Sequence, residues 1–234
     1  ITPAGKPDAP TGVNAVAGNG SATITFTAPT VTGLGIGSAV TGYSVTSSPA
    51  GATCAVGANA TTYTCTGLTN GTAYTFAVTA SNGLFTSSPS TSSSSVVPAT
   101  VPGAPTSVTA TSTASGTATI AFIAPTSNGG SAITGYTVTS SPAGATCTVA
   151  TNATTYTCTG LTDGVAYTFA VVAVNAVGNS IAGTNSTALT TQGAASAPTA
   201  ISATRGDGQA TVTFSGATAN GSTITSYTVK AYDS

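Results

Sequence analysis

Charge is nearly missing from this chain of 234 residues. Its three cations and four acids are Lys6, Asp8, Asp163, Arg205, Asp207, Lys230 and Asp233, and Asp163 stands alone between Asp8 and Arg205. Three cations cannot build a phosphate-tracking patch, which excludes nucleic acid as a partner. Histidine and glutamate are absent altogether, so no general base is poised near neutral pH. Neither intact repeat offers a pair of carboxylates either, and no residue is assigned a catalytic role. The same shortage leaves no set of acidic oxygens for calcium, no metal-ligand cluster and no cofactor-binding motif. No run of 18 apolar residues is present, so no membrane-spanning helix is expected. The chain opens at Ile1 without an initiator methionine or a charged-then-apolar leader, as expected of a processed product or an excerpt. Its surface must be neutral and rich in hydroxyls, with little electrostatic steering or colloidal repulsion. Such a surface suits contact with other copies of itself or with adjacent repeats, or a coat of attached or bound glycans.

What is present is repetition. Thr41 to Val78 reads TGYSVTSSPAGATCAVGANATTYTCTGLTNGTAYTFAV, and Thr134 to Val171 returns it 93 residues later with six of 38 positions changed. A third copy begins near Pro198 and supplies only the first part of the pattern. Self-similarity at a fixed period marks an array of one module. The organisation read from it is an extension at 1–7, a first domain at 8–98, a proline-rich linker at 99–104 and a second domain at 105–191. A smaller linker at 192–197 and a partial third domain at 198–234 follow. A half domain exposes strand edges. It is expected either to belong to a longer array or to be completed by strands from a neighbouring copy, the extension being too short to replace four strands.

The four cysteines fall in two matching pairs, Cys54/Cys65 and Cys147/Cys158. With no histidine or glutamate to complete a metal site, disulfides Cys54–Cys65 and Cys147–Cys158 are the better reading. Each closes a short loop that stabilises its domain by about 3 kcal/mol in the chain-entropy model. Stable disulfides point to an oxidising compartment, extracellular or at the cell surface.

Strand patterning is legible. Ser21 to Thr27 alternates Ala22, Ile24 and Phe26 with threonines, the period of a half-buried antiparallel strand. The alternation returns at Ala118, Ile120, Phe122 and at Ala210, Val212, Phe214. Tyr43 and Val45 define a following strand, repeated by Tyr136 with Val138 and by Tyr227 with Val229. Two short cysteine-bearing strands come next, then a longer one with Tyr74, Phe76, Val78 and Ala80 inward, matched by Tyr167, Phe169, Val171 and Ala173. A weak last strand is expected near Ser93 to Val97 and near Ser186 to Thr190. The core is read as Phe26, Tyr43, Phe76, Phe122, Tyr136, Phe169, Phe214 and Tyr227. Seven short strands per repeat between Gly, Asn and Pro turns make an all-β, immunoglobulin-like two-sheet sandwich.

Leu68-Thr69-Asn70-Gly71-Thr72-Ala73-Tyr74 and Leu161-Thr162-Asp163-Gly164-Val165-Ala166-Tyr167 resemble the Leu-x-x-Gly-x-x-Tyr signature of fibronectin type III domains. The opening segments Ala9 to Val13 and Ala104 to Val108 are similar to that family's first strand. The resemblance, to tandem domains of the bacterial type with an intradomain disulfide, implies a tyrosine corner built by Leu68, Gly71 and Tyr74 and by Leu161, Gly164 and Tyr167. There the tyrosine hydroxyl is bonded back to the preceding turn. Phe26, Phe122 and Phe214 stand where the family usually has tryptophan. Function is not fixed by such a scaffold. The expected role is a non-catalytic structural or adhesive segment of a secreted or cell-surface protein, packed into an extracellular filament. The alternative is spacer modules of a secreted carbohydrate-active enzyme.

Two further motifs read as turns or chance. Arg205-Gly206-Asp207 spells an integrin-binding tripeptide, but it lies where the first repeat has the hairpin Gly18-Asn19-Gly20-Ser21. Asn-x-Ser/Thr sequons occur at Asn19, Asn59, Asn70, Asn152, Asn185 and Asn220.

Overall fold

The computed structural model describes residues 5–30, 39–55, 60–148 and 153–232. Asn59, Asn152, Asp233 and the first four residues of the extension lie outside them. Every regular element among the described residues is a strand. In the first repeat these are β1 (Thr11–Gly18), β2 (Ser21–Thr27), β3 (Gly42–Ser48), β4 (Thr53–Cys54), β5 (Thr62–Thr66) and β6 (Thr75–Ser81). The second carries β7 (Thr106–Ala114), β8 (Thr117–Ile123), β9 (Ile133–Ser141), β10 (Thr146–Thr148), β11 (Thr155–Thr159), β12 (Ala166–Asn175) and β13 (Leu189–Thr190). The partial third has β14 (Thr199–Arg205) and β15 (Ala210–Ser215).

Burial follows the period of two that the sequence sets. Along β2 the side chains of Ala22, Ile24 and Phe26 are buried while Thr23, Thr25 and Thr27 are exposed. Along β6, Phe76, Val78 and Ala80 are fully buried. Strands β1-β2-β5-β4 form one sheet and β3-β6 the other. Phe26 of the first sheet meets Tyr43 of the second edge-on, with ring centroids 4.8 Å apart, and lies 5.8 Å from Tyr63. The second repeat copies this with β10-β11-β8-β7, β13-β12-β9 and a Phe122–Tyr136 pair at 4.7 Å. Aromatic pairs of this kind contribute about 0.5–1.5 kcal/mol beyond their burial. A core of this make is what two small sheets can bury without tryptophan.

The first strand of each repeat has a break that alternation does not foretell. Its pairing shifts between Thr11 and Asn14, between Thr106 and Thr109, and between Thr199 and Ser202. An extra residue there takes a positive φ: Gly12 at 63°, Ser107 at 53° and Ala200 at 50°. Only glycine enters that region without a Cβ penalty.

The described residues group into two compact units, Ile1–Pro102 with Ser127–Ile133 and Asn175–Asn179, and Gly103–Thr126 with Thr134–Val174 and Ser180–Ser234. In the first, Asn82 at the end of the β6 strand donates to the carbonyl of Gly5 at 2.9 Å. Asn175, at the matching place, donates to Thr100 at 2.8 Å and Asn128 at 2.9 Å. Its oxygen accepts from Val177 and Gly178, so a 4 % exposed amide is fully satisfied.

Three expectations are corrected here. The strand expected around Tyr227 and Val229 is not formed among the described residues. Its counterpart β3 pairs with β6, and among the described residues no strand of the third repeat offers that pairing. For the same reason Phe214 is half-buried and Tyr227 is 43 % exposed, so neither is a core residue, although their rings still meet at 4.9 Å. The weak last strands are also replaced, by the two-residue β13 and a single bridge from Tyr74 to Val96.

The bulge yields a stability prediction. Ser107→Gly should stabilise the second repeat by about 1 kcal/mol, because the strain of a left-handed serine is relieved. Chemical denaturation of the full chain checks it, and an unchanged or lowered midpoint for that repeat would count against the strain.

Candidate functional site

The segment after β6 carries the polar network that position-by-position reading of strands misses. In the first repeat Ser87, Ser90 and Ser93, three residues apart, are buried, while Ser88, Thr91 and Ser92 between them and Ser94 and Ser95 after them are exposed. The amides of these three serines donate to the carbonyls of Ala80, Val78 and Phe76 at 2.8–2.9 Å. Their hydroxyl oxygens accept from the amides of the same residues, Ala80 at 2.9 Å, Val78 at 3.0 Å and Phe76 at 3.1 Å. Each hydroxyl then donates to the carbonyl of the residue that follows it, Ser88, Thr91 or Ser94. Three residues of this comb thus match two of the strand. One serine satisfies both backbone groups of its partner, and a carbonyl of its own segment as well.

The second repeat keeps two teeth. Ser180 serves Ala173 and Ser186 serves Phe169, each with amide and hydroxyl. Between them stands Gly183, whose amide donates to Val171 at 2.8 Å without a hydroxyl beside it. A Cβ at Gly183 would fall 2.4 Å from the carbonyl oxygen of Pro105, so the backbone leaves no space for a third serine. The signal was present in the sequence only as an overlay of the repeats. In the serine run of the first repeat the teeth look like their neighbours, but Ser180 and Ser186 stand at the positions of Ser87 and Ser93.

The turn before β6 gathers the residues that the family signature named. Leu68 and Tyr74 are buried, and the Tyr74 hydroxyl accepts from the amide of Thr69 at 3.1 Å. Leu161 and Tyr167 repeat this, with Thr162 donating at 3.2 Å. Gly71 and Gly164 take φ of 83° and 81°, and their amides donate to Pro98 and Thr191. Within the same turn Asn70 and Asp163 do one job with different chemistry. The Asn70 side-chain oxygen accepts from the Gly20 amide at 2.8 Å, and its nitrogen donates to Asn19 at 2.8 Å. Asp163 accepts from the Ser115 hydroxyl and from the Gly116 amide at 2.9 Å. Those two hydrogen bonds hold its carboxyl below the usual carboxylate range. Both residues tie down the hairpin between the first two strands.

The bridges are Cys54–Cys65 and Cys147–Cys158. Each joins residues directly opposite on neighbouring strands of one sheet, β4 to β5 and β10 to β11. Arg205-Gly206-Asp207 opens the β14–β15 hairpin, closed by the Gly206 amide on the Gln209 carbonyl at 2.8 Å. Of the sequons among the described residues, Asn70 and Asn220 donate their side-chain nitrogens to turns and Asn19 accepts with its oxygen. Asn185 is exposed. Burial raises the phenols of Tyr43, Tyr63, Tyr136 and Tyr156, which keeps them neutral core groups. Among the described residues no three potential ligands come together to hold a metal ion, and no helix is long and apolar enough to cross a membrane.

A β-sandwich with a tyrosine corner, repeated in tandem, defines a class of immunoglobulin-like module. The fibronectin type III domain model matches residues 8–96 and 103–190, and the chain belongs to that family. Repeats of this family are typically non-catalytic modules. No curated protein matches the chain. Among solved structures it is similar to the FN1-FN3 domains of chicken CNTN1, at 18 % identity over 90 % of this chain and 76 % of that one, with a TM-score of 0.39. It is also similar to a run of domains from titin, at 20 % identity over 80 % of this chain and 62 % of that one, with a TM-score of 0.44.

Two predictions follow from the comb and the turn. Ser93→Ala leaves the buried Phe76 amide without its acceptor and should cost about 1–3 kcal/mol. Ser92→Ala, at an exposed position, should stay within about 0.5 kcal/mol. Equal losses in denaturation of the two variants would refute the comb. For Asp163 the folded carboxyl titrates lower than the unfolded one, so its contribution is complete above the ordinary carboxylate value. That contribution is lost as pH falls through the lowered one. After correction for the intrinsic pH dependence of exchange, protection of the Gly116 amide should fall on acidification through that window in the parent chain and not in Asp163→Asn, while protection of Gly20 beside Asn70 stays unchanged.

Proposed function

We propose that this chain is a structural or adhesive repeat segment of a secreted or cell-surface protein, of a bacterial type, whose repeats pack into an extracellular filament. The observation that carries the reading is that the polar side chains which converge in either repeat are spent on holding the fold. The serine comb, the tyrosine corner and the Asn70 or Asp163 turn are each hydrogen-bonded to backbone or to a neighbouring turn side chain. What faces outward is sheet lined by threonine, such as Thr23, Thr25, Thr62 and Thr64 in the first repeat and Thr109, Thr155 and Thr157 in the second. An uncharged face of this kind can be covered by another copy without stranding an ion. The disulfides support an oxidising location.

Electron microscopy of the native material taken directly from its source tests this. Ordered fibres with an axial repeat matching the modules are the expected outcome. Dispersed strings ending in a larger globular body would instead favour spacer modules of a secreted carbohydrate-active enzyme.

A further inference from the structure

The comb divides the hydroxyls after the β6 and β12 strands into two chemically distinct sets. Those of Ser90, Ser93 and Ser186 are engaged twice, as acceptor from a strand amide and as donor to the next carbonyl. The residue immediately after a comb position points the other way. Thr91 and Ser94 in the first repeat, and Thr184 and Thr187 at the same places in the second, are exposed. Their hydroxyls have no hydrogen-bond partner among the described residues. Three of the other outward positions change character between repeats, Ser88 to Ile181, Ser92 to Asn185 and Ser95 to Ala188, whereas these two keep a hydroxyl in both.

We infer that Thr91, Ser94, Thr184 and Thr187 are acceptors of O-linked sugars. Threonines on the sheet faces differ in two ways. Several of them donate to a carbonyl across the sheet, as Thr109 does to Ala121 at 3.2 Å and Thr148 to Thr157 at 3.3 Å. They also sit in strands paired residue after residue with a neighbour, β7 with β8 and β10 with β11, a backbone that a transferase cannot readily lift into its cleft. The comb segment is held only at every third residue, is extended, and in the first repeat is a run of serine and threonine around Pro89, the composition of O-glycosylated stalks. The segment also lies on the outer side of the β6 and β12 strands, where a sheet needs protection from pairing with another chain. A row of sugars there supplies it without lysine, which this chain hardly has. In the transfer step the side-chain oxygen attacks the anomeric carbon of a phosphate-activated sugar. The carbon–oxygen bond to the phosphate breaks with its electron pair leaving on the phosphate, and the hydroxyl proton passes to a base of the transferase.

The inference rests on the extracellular reading proposed above, so its test separates the two. Native chain from its source is alkylated before reduction, digested and mapped by mass spectrometry with fragmentation that retains side-chain groups. The expected result is whole-sugar mass increments on Thr91, Ser94, Thr184 and Thr187, lost on mild alkaline β-elimination, with Ser90, Ser93 and Ser186 bare. Sugars on the comb serines, phosphate increments, or four bare hydroxyls beside bridged cysteines would each overturn the glycan assignment alone. Free cysteine thiols with bare hydroxyls would overturn the extracellular reading along with it.

Discussion

The β6 strand needs hydrogen-bond partners for its backbone on both edges, and the rest of the sandwich is arranged around how it finds them. Phe76, Val78 and Ala80 are fully buried, so an amide left bare at any of them would carry the full desolvation cost of a polar group. One edge is met by the β3 strand in regular register from Gly42 with Ser81 to Ser48 with Thr75. The other is met by a serine every third residue, with a hydroxyl standing in for the acceptor that a paired strand would supply. In the second repeat the middle tooth is replaced by Gly183, where the Pro105 backbone leaves no room for a side chain. Packing and hydrogen bonding are therefore one constraint here. Removing either leaves the buried strand unsatisfied.

Much of this architecture could be read from the chain before any coordinates. The alternation in β2, β6 and their counterparts set which side chains enter the core, because a half-buried strand imposes a period of two on hydropathy. The cysteine pairs and the tyrosine corner were equally legible, since each depends on a few residues at short spacing. Three features were not. The comb has a period of three, which neither strand nor helix templates register, and its serines are camouflaged in the first repeat by a run of the same residue. The bulge at Gly12, Ser107 and Ala200 is a backbone event with no common side chain to announce it. Whether the stretch around Tyr227 pairs as a strand depends on long-range partners, whereas its own sequence matches Tyr43 and Tyr136 closely enough to read as a strand.

The turn before β6 shows how little charge the fold needs. Asn70 and Asp163 both accept an amide hydrogen from the hairpin below, at 2.8 and 2.9 Å. The amide adds a donor that finds Asn19, whereas the carboxylate instead takes the hydroxyl of Ser115. Each substitution of neighbour matches the donor and acceptor inventory of the group it faces. An array built this way can exchange an acid for its amide without rebuilding the turn, and with almost no ions elsewhere its behaviour is set by shape and hydrogen bonding.

The position of the disulfides has a mechanical consequence. Because Cys54 and Cys65 lie opposite one another on adjacent strands, the bond encloses a stretch with a sequence separation of 11 within one sheet. A pulled module that lost its sandwich would still hold that loop shut, withholding roughly 35–40 Å of contour that an open chain would release. The second repeat carries the same lock at Cys147 and Cys158. Load on such a tether would give a shorter, stiffer extension per broken module, and each broken module would begin its return with one strand pair already in register.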